Sequence, residues 1–375
     1  MVNQKEIYLR YPSSRDVVFV LGAGASQPAG VPLQRDILPT ILSGSIKEIK
    51  DSSIGEIVTE FIEDNFFCDV TSNNYPDLEA VFGFIDYFLQ QNESLSLKYP
   101  NSRIWQIKEY LIKLVHFIVN HQTEKGSKYY HLFWQAVQKY NSNISICTLN
   151  YDTLLEHSFE FLFKKFGYID YCTHFMNYDN IKEGENIEFD FWINPREPVS
   201  VDGENIPFSI KLIKIHGSLN WKFCNCCNQT LLTPWDRKID LQHGKFLGYT
   251  YPEKVEYEYV CPLDGTEFNT LIMAPSFVKP LKHPVISQLL SEASREIRAA
   301  KKVVFVGYSL SETDIHIKAL FKKHLDESTP VTVILPRKSE EVESKYYALT
   351  KNIDFVYSSF EDLVRNEKLM KELLT

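Results

Sequence analysis

The sequence predicts an α/β fold: a doubly wound parallel sheet with a helical insertion and a small cysteine-containing module. Three observations carry this. Short apolar, β-branched runs recur along the chain, first as VVFVL at 17–21 and then within ISICTLN (144–150), LIKIHG (212–217), VVFVGY (303–308) and VTVILP (331–336). Strands without polar alternation are the kind covered on both faces. Helical patterns fall between or after them, at 286–300 and from about 314, and strands alternating with helices imply parallel crossovers. Several runs end on glycine or on polar residues, which sets chemistry outside the carboxyl ends of the strands, where open sheets bind ligands.

The first run leads into LGAGASQPAGVP. Gly22 and Gly24 let backbone N–H groups approach a phosphate closely, and a helix starting near Ser26 would add its positive dipole end. The turn suits a dinucleotide. A hydride-transfer fingerprint, however, puts its third glycine where this chain has Gln27, and Pro28 would interrupt the helix that fingerprint needs. A tight turn with no ligand is the alternative. Residues 41–143 then change to helical periodicity. Leu78, Val81, Phe82, Ile85 and Leu89, followed by Ile104, Ile107, Leu111, Leu114, Val115 and Ile118, form apolar faces that suit either a buried helical core or contacts between copies of the chain.

The second run ends in SICTLNYDTLL, an amide, a phenol and a carboxylate in succession where a strand turns into a helix. Asn150 can donate to and accept from a sugar hydroxyl or a held water, while Asp152 can cap the following helix or orient a neighbour. In LIKIHGSLNW, His216 ends a third strand beside Gly217. Imidazole is the usual proton carrier near neutral pH and also a common structural partner of backbone groups. The stretch from about 170 to 275, rich in Asn, Pro, Gly and aromatic residues, reads as loops plus a small module. Its CNCC at 224–227 and CPLDG at 261–265 offer Cys224, Cys227 and Cys261 to a tetrahedral zinc, with Asp264 where a fourth thiolate is expected. Cys226, His243 or Asp264 could complete the shell, and a metal-free loop is the alternative.

Composition narrows the classes further. With a formal charge of -9 and a pI near 5.7, the chain lacks the basic balance of a protein that grips phosphate backbones, so nucleic acid is not expected as a direct partner. The first residues hold no apolar stretch of signal-peptide length, and no window approaches the roughly 18 uninterrupted apolar residues of a membrane span. A soluble, cytoplasmic protein is expected. Seven cysteines, scattered apart from one cluster, suit a reducing compartment better than a disulfide framework.

GAGAS with GVP shortly after, TLNYD, IHGS, a Cys-x-x-Cys and VGYSLSETD occur in this order, and the set resembles the sirtuin superfamily, specifically its bacterial branch with TLNYD-type motifs. The resemblance covers residues 15–40, 144–156, 212–227 and 272–320 and leaves out the insertion. It implies one sirtuin-like domain over 1–375, with a Rossmann-like core at 15–40 and 144–375, the helical insertion at 41–143 and a zinc-ribbon-like module at 222–270. It implies NAD+ as substrate, cleaved between nicotinamide and ribose, and a structural Zn2+. The contacts to NAD+ would come from Gly22, Ala23, Gly24, Ala25, Ser26, Pro32, Asn150, Tyr151, Asp152, His216, Gly307, Tyr308 and Ser309. Within that set, Asn150 and Asp152 match family residues around the nicotinamide and its ribose, and His216 matches the catalytic histidine. Gly307, Tyr308 and Ser309 match the stretch that holds the adenosine-side ribose and phosphates.

Two departures shape the expected activity. Protein deacylases of the family carry a proline-aspartate-phenylalanine-arginine run over the nicotinamide pocket, where this chain has Pro32, Leu33, Gln34 and Arg35 without aromatic cover. After the histidine, deacylases use an extended segment that pairs with the substrate peptide, whereas this chain continues SLNWKFCNCC, in which no peptide groove is evident. Bacterial relatives with these features are generally NAD hydrolases in antiviral defence. The resemblance therefore implies an NAD+ glycohydrolase, an NAD-depleting effector of abortive infection. A non-catalytic NAD-binding subunit of an ATPase complex is the alternative, and an NAD-dependent deacylase the third. Nicotinamide is already a cationic leaving group, so positioning and an available water matter more than a strong acid. Such an effector must be silent in healthy cells, which implies a homo-oligomer and, with no sensor segment visible in this sequence, a partner such as a HerA-type ATPase.

Overall fold

The computed structural model describes residues 4–68, 74–123, 126–163, 167–176, 192–202, 207–233, 238–249, 256–279 and 281–375. Of the loop-rich 170–275 stretch, residues 177–191, 203–206, 234–237 and 250–255 lie outside the described residues. Eight strands form the main sheet: β1 (Val17–Leu21), β2 (Ile144–Thr148), β3 (Gly167–Asp170), β4 (Trp192–Ile193), β5 (Phe208–Lys214), β6 (Val303–Val306), β7 (Val331–Leu335) and β8 (Ile353–Tyr357). Their order is β8-β7-β6-β1-β2-β5-β3-β4, and every pairing is parallel.

The five apolar runs of the sequence are β7, β6, β1, β2 and β5, which lie side by side at the centre of the sheet. Val18, Phe19, Val20 and Leu21 are fully buried, and covering each such side chain contributes about 1.5–3 kcal/mol. That is why these strands carry no polar alternation. β1 lies between β2 on one side and β6 on the other, so the loops that follow these strands meet at one carboxyl edge, the place where open sheets form a ligand crevice.

Two hydrophobic cores follow from the chain's path. The stripe residues Leu78, Val81, Phe82 and Ile85, and Ile104, Ile107, Leu111, Leu114 and Ile118, are buried within the chain itself. They lie on helices Leu78–Gln91 and Asn101–Gln122 and pack with helix Ser53–Asn65 and with Cys224, Phe246, Cys261 and Phe268. The insertion and the cysteine module thus share one core. Helix Lys128–Tyr140 packs instead on the sheet, with Phe133 edge-on to Phe19 at 5.2 Å and Trp134 against Phe159 at 5.0 Å between ring centres. Among the described residues no helix is long and apolar enough to cross a membrane.

Candidate functional site

Backbone hydrogen bonds lace together the carboxyl ends of the central strands. The Leu149 N–H donates to the Leu21 carbonyl (2.9 Å), and the Ile215 N–H to the Thr148 carbonyl (3.1 Å). Asn150 therefore emerges beside the turn that follows β1, and His216 emerges beside Asn150. Asn150 is 9% exposed. Its Nδ2 donates to the Gly22 carbonyl (2.9 Å) and to Ser26 Oγ (3.0 Å), and Ser26 Oγ in turn meets Tyr130 Oη at 2.9 Å. Both amide protons are engaged, so the glycine turn sets how this amide sits.

Residues Ala23–Ser26 make one helical turn, and a 3-10 turn, Gln27–Ala29, ends at Gly30 with φ +88°. Pro28 falls in this short turn, and no long helix runs on from Ser26. The N–H groups of Gly22 and Gly24 donate to the Val306 and Gly307 carbonyls at 3.0 and 2.9 Å. A Cβ on Gly22 would lie 2.6 Å from Tyr308 Cβ, and one on Gly24 would lie 2.8 Å from Gly307 Cα. Gly307 has φ +61°, and a Cβ there would come within 2.5 Å of the Ala25 nitrogen. The glycines are thus needed for the close approach of the loops after β1 and β6, a reason distinct from phosphate binding. Ala23 is exposed, Gly24 and Pro32 are half-buried, and Ala25 and Ser26 are buried.

Asp152 Oδ1 accepts from the Leu154 N–H (3.1 Å) at the start of helix Leu154–Phe163, the capping geometry its position allows. Its carbonyl accepts from Lys214 Nζ at 2.5 Å, and Lys214 also pairs with Glu156 at 2.7 Å, both side chains 1% exposed. Tyr151 Oη donates to the Met273 carbonyl (2.7 Å). Asp152 and Tyr151 therefore secure the turn that presents Asn150. The Lys214–Glu156 pair beneath it gave no signal in the sequence, since neither residue stands out among ordinary charged side chains.

His216 follows β5 in the turn to Gly217, whose φ is +76° and where a Cβ would fall 2.0 Å from the Leu271 carbonyl oxygen. The His216 side chain is 6% exposed. Its Nε2 lies 3.1 Å from His316 Nε2 and 3.6 Å from Asp314 Oδ1. The ring also bonds the Leu149 carbonyl. Burial, reinforced by the Lys279 ammonium, holds His216 down to about 3; burial and the neighbouring His216 hold His316 down to about 3. Both rings are neutral near neutral pH. Asp314 Oδ2 accepts from Tyr308 Oη (3.0 Å), and its Oδ1 lies 3.6 Å from Lys279 Nζ. Tyr308 is buried on this bond, whereas Ser309 is exposed. Asp314 belongs to the VGYSLSETD motif, but the grouping of Asp314, His316 and Lys279 around His216 was not legible beforehand. The one available signal is an acid and a histidine two residues apart where a helix begins after a strand-end motif.

The segment after His216 is itself a strand, Gly217–Phe223, with all seven residues buried. It is the middle member of an antiparallel sheet, flanked by Asn269–Ile272 and Thr230–Leu232. Its residues Lys222 and Phe223 are paired on both sides by the chain's own strands.

In the cysteine module two tight turns face one another. Cys224 to Cys227 is followed by Asn228 at φ +60°, and Cys261 to Asp264 by Gly265 at φ +74°. Cys227 Sγ is 3.7 Å from Cys261 Sγ, Cys224 Sγ is 3.3 Å from Asp264 Oδ2, and the four ligand atoms lie within 4.8 Å of one another. Sulfurs at ~2.3 Å from a tetrahedral zinc sit about 3.8 Å apart, so the set fits zinc with Asp264 as fourth ligand. Cys226 is exposed and outside the cluster, and His243 bonds Asp240 at 2.7 Å. Burial pushes the Cys261 thiol up to about 12, so a bound cation is what would hold thiolates here at neutral pH. Zinc at this position would tie the two turns together and supply folding energy, not chemistry.

A family profile described as a SIR2-like domain matches residues 144–356. Similar solved structures include a SIR2 homolog in complex with NAD, 11% identical, aligned over 96% of this chain and 90% of that chain with a TM-score of 0.44. A variant Sir2 homologue with ADP-ribose is 12% identical over 96% and 93% of the two chains, TM-score 0.47. Sir2Tm bound to a propionylated peptide is 11% identical over 96% and 93%, TM-score 0.42. No curated protein matches the sequence. The matched segment takes in more than half of the chain, with Asn150, Asp152, His216, the cysteine turns and residues 307–316 all inside it. The chain belongs to the family of proteins built on a SIR2-like domain.

Proposed function

We propose that this protein is an NAD+ glycohydrolase that cleaves the bond between nicotinamide and ribose. One juxtaposition carries the reading: Asn150 and His216 leave adjacent strands at the carboxyl edge of the sheet, beside the turn Gly22–Ser26, with His216 bonded to the carbonyl of the residue before Asn150. In this scheme Asn150, aimed by Gly22 and Ser26, positions a water or the ribose. His216 Nε2, once parted from His316 Nε2 at 3.1 Å, accepts a proton from the water or from a ribose hydroxyl. Because nicotinamide leaves as a neutral molecule from a cationic ring, no strong acid is required. The pairing of Lys222 and Phe223 with strands on both sides supports hydrolysis over deacylation, since an acylated peptide could not add alongside that part of the segment.

The proposal extends to an NAD-depleting effector of bacterial antiphage defence by abortive infection, assembled as a homo-oligomer and released by a HerA-type ATPase. The long apolar stripes of the insertion do not support an assembly surface, because they fill the chain's own core. The near-complete burial of Asn150 and His216 supports a site that is closed in the isolated chain. A second reading, an NAD-binding subunit without turnover, is favoured by one observation: a histidine held near 3 is a weak base. Nicotinamide release by the purified chain, alone and with an ATPase partner, separates the two. Release that disappears in Asn150→Ala supports the hydrolase; NAD+ binding by calorimetry with no release in any condition establishes the second reading.

A further inference from the structure

We propose that His216, His316 and Asp314 form a second metal site, distinct from the cysteine cluster, that takes a borderline divalent cation such as Zn2+ and thereby blocks His216. The three ligand atoms, two imidazole nitrogens and one carboxylate oxygen, lie within 4.8 Å of one another. His316 Nε2 and Asp314 Oδ1 stand 3.1 and 3.6 Å from His216 Nε2. Ligands at ~2.0–2.2 Å from a tetrahedral or octahedral ion are separated by about 3.0–3.5 Å, so the atoms need little movement to close on a cation.

The surroundings resemble those of metal ligands. The Leu149 backbone hydrogen-bonds the His216 ring, and Asp314 Oδ2 accepts from Tyr308 Oη at 3.0 Å; such outer contacts orient ligands toward a cation. His316 Nδ1 is buried with no hydrogen-bond partner among the described residues, so ligation through Nε2 leaves its Nδ1–H without an acceptor there, a cost that metal coordination has to offset. Two imidazoles and one carboxylate favour zinc, cobalt or nickel over magnesium, and three protein ligands leave a coordination position open. Lys279 is the competing charge. Its Nζ lies 3.6 Å from Asp314 Oδ1 and donates to the Ala274 carbonyl at 3.1 Å, so the cation must displace it from the carboxylate.

The inhibitory consequence rests on the glycohydrolase reading, but the site does not. The full chain, first saturated with zinc at the cysteine cluster, is titrated with Co2+ and followed by visible absorption. One further equivalent is expected, with cobalt d–d bands and without the thiolate charge-transfer band that marks cysteine ligation. His316→Gln and His316→Ala should lose this equivalent while keeping the zinc of the cysteine cluster, and Lys279→Met should bind it roughly tenfold more tightly. A second equivalent that persists in both His316 variants overturns the site, as does wild-type and Lys279→Met protein taking up cobalt at the cysteine cluster alone. If nicotinamide release is measurable, micromolar Zn2+ should suppress it in the wild type and not in His316→Gln. If no turnover exists, the glycohydrolase reading fails while the cobalt titration still decides the metal site.

Discussion

At the scale of single residues, Asn150 serves two ends. Its amide spans the Gly22 carbonyl and Ser26 Oγ, so Asn150→Ala should lose nicotinamide release and also lower stability by about 1–3 kcal/mol through unpaired buried acceptors. Calorimetry beside the release assay checks both; retained turnover would remove Asn150 from the mechanism. The paired histidines make a pH prediction. Unfolded, a histidine takes a proton near pH ~6.5; folded, His216 and His316 do so only at about 3. Between these values the unfolded chain binds more protons, so stability should fall as pH drops from about 6.5 toward 3 and should not change on their account above that window. Denaturant midpoints at about pH 7.5 and 5 measure the fall, and His316→Gln should shrink it.

At the scale of elements, the strand-to-helix turn after β2 stands on the buried Lys214–Glu156 pair. Removing one partner strands a charge, so Lys214→Met should cost about 3–5 kcal/mol, whereas adding Glu156→Leu should recover most of that loss. Chemical denaturation of the wild type and these two variants tests this, and equal stability of the single and double variants would contradict it. The turn between β5 and Gly217–Phe223 has no room for a side chain. Gly217→Ala sets a Cβ against the Leu271 carbonyl in a left-handed conformation and should cost at least about 3 kcal/mol or block folding. Element legibility follows burial. The five central strands announce themselves because both faces must be apolar. β8, with Asp354 and Tyr357 exposed and its other residues half-buried, and the two-residue β4 are the sheet's edge strands, where apolar continuity is not demanded, and β3 beside β4 is only four residues long.

At the scale of the whole molecule, the insertion and the cysteine module share a hydrophobic core that is separate from the core of the sheet. Stripping metal from the cysteine cluster, or Cys227→Ser, should therefore loosen helix Asn101–Gln122 as well as the module, while β1, β2 and β6 stay protected. Hydrogen exchange with and without chelator checks this, and loss of protection confined to residues near the cysteines would show that the shared core does not couple them. Activity in any such variant should decline only with folding, since the cysteine turns donate nothing to the Asn150 crevice.

The amino-acid sequence by itself determined the α/β class, the central strands, the glycine turn and the strand-end placing of Asn150 and His216. Each follows from a local requirement: two-sided burial, positive φ or close approach, and a polar residue where a strand stops. The tertiary structure alone decided that Gly22 and Gly24 serve the loop after β6, that Asp264 and not Cys226 or His243 joins the three cysteines, and that His316, 100 residues further along, faces His216. Those pairings depend on strand order across the sheet and on which loops it brings to one edge. A one-dimensional pattern holds no record of such an arrangement when the contacting residues are common polar types separated by whole crossovers.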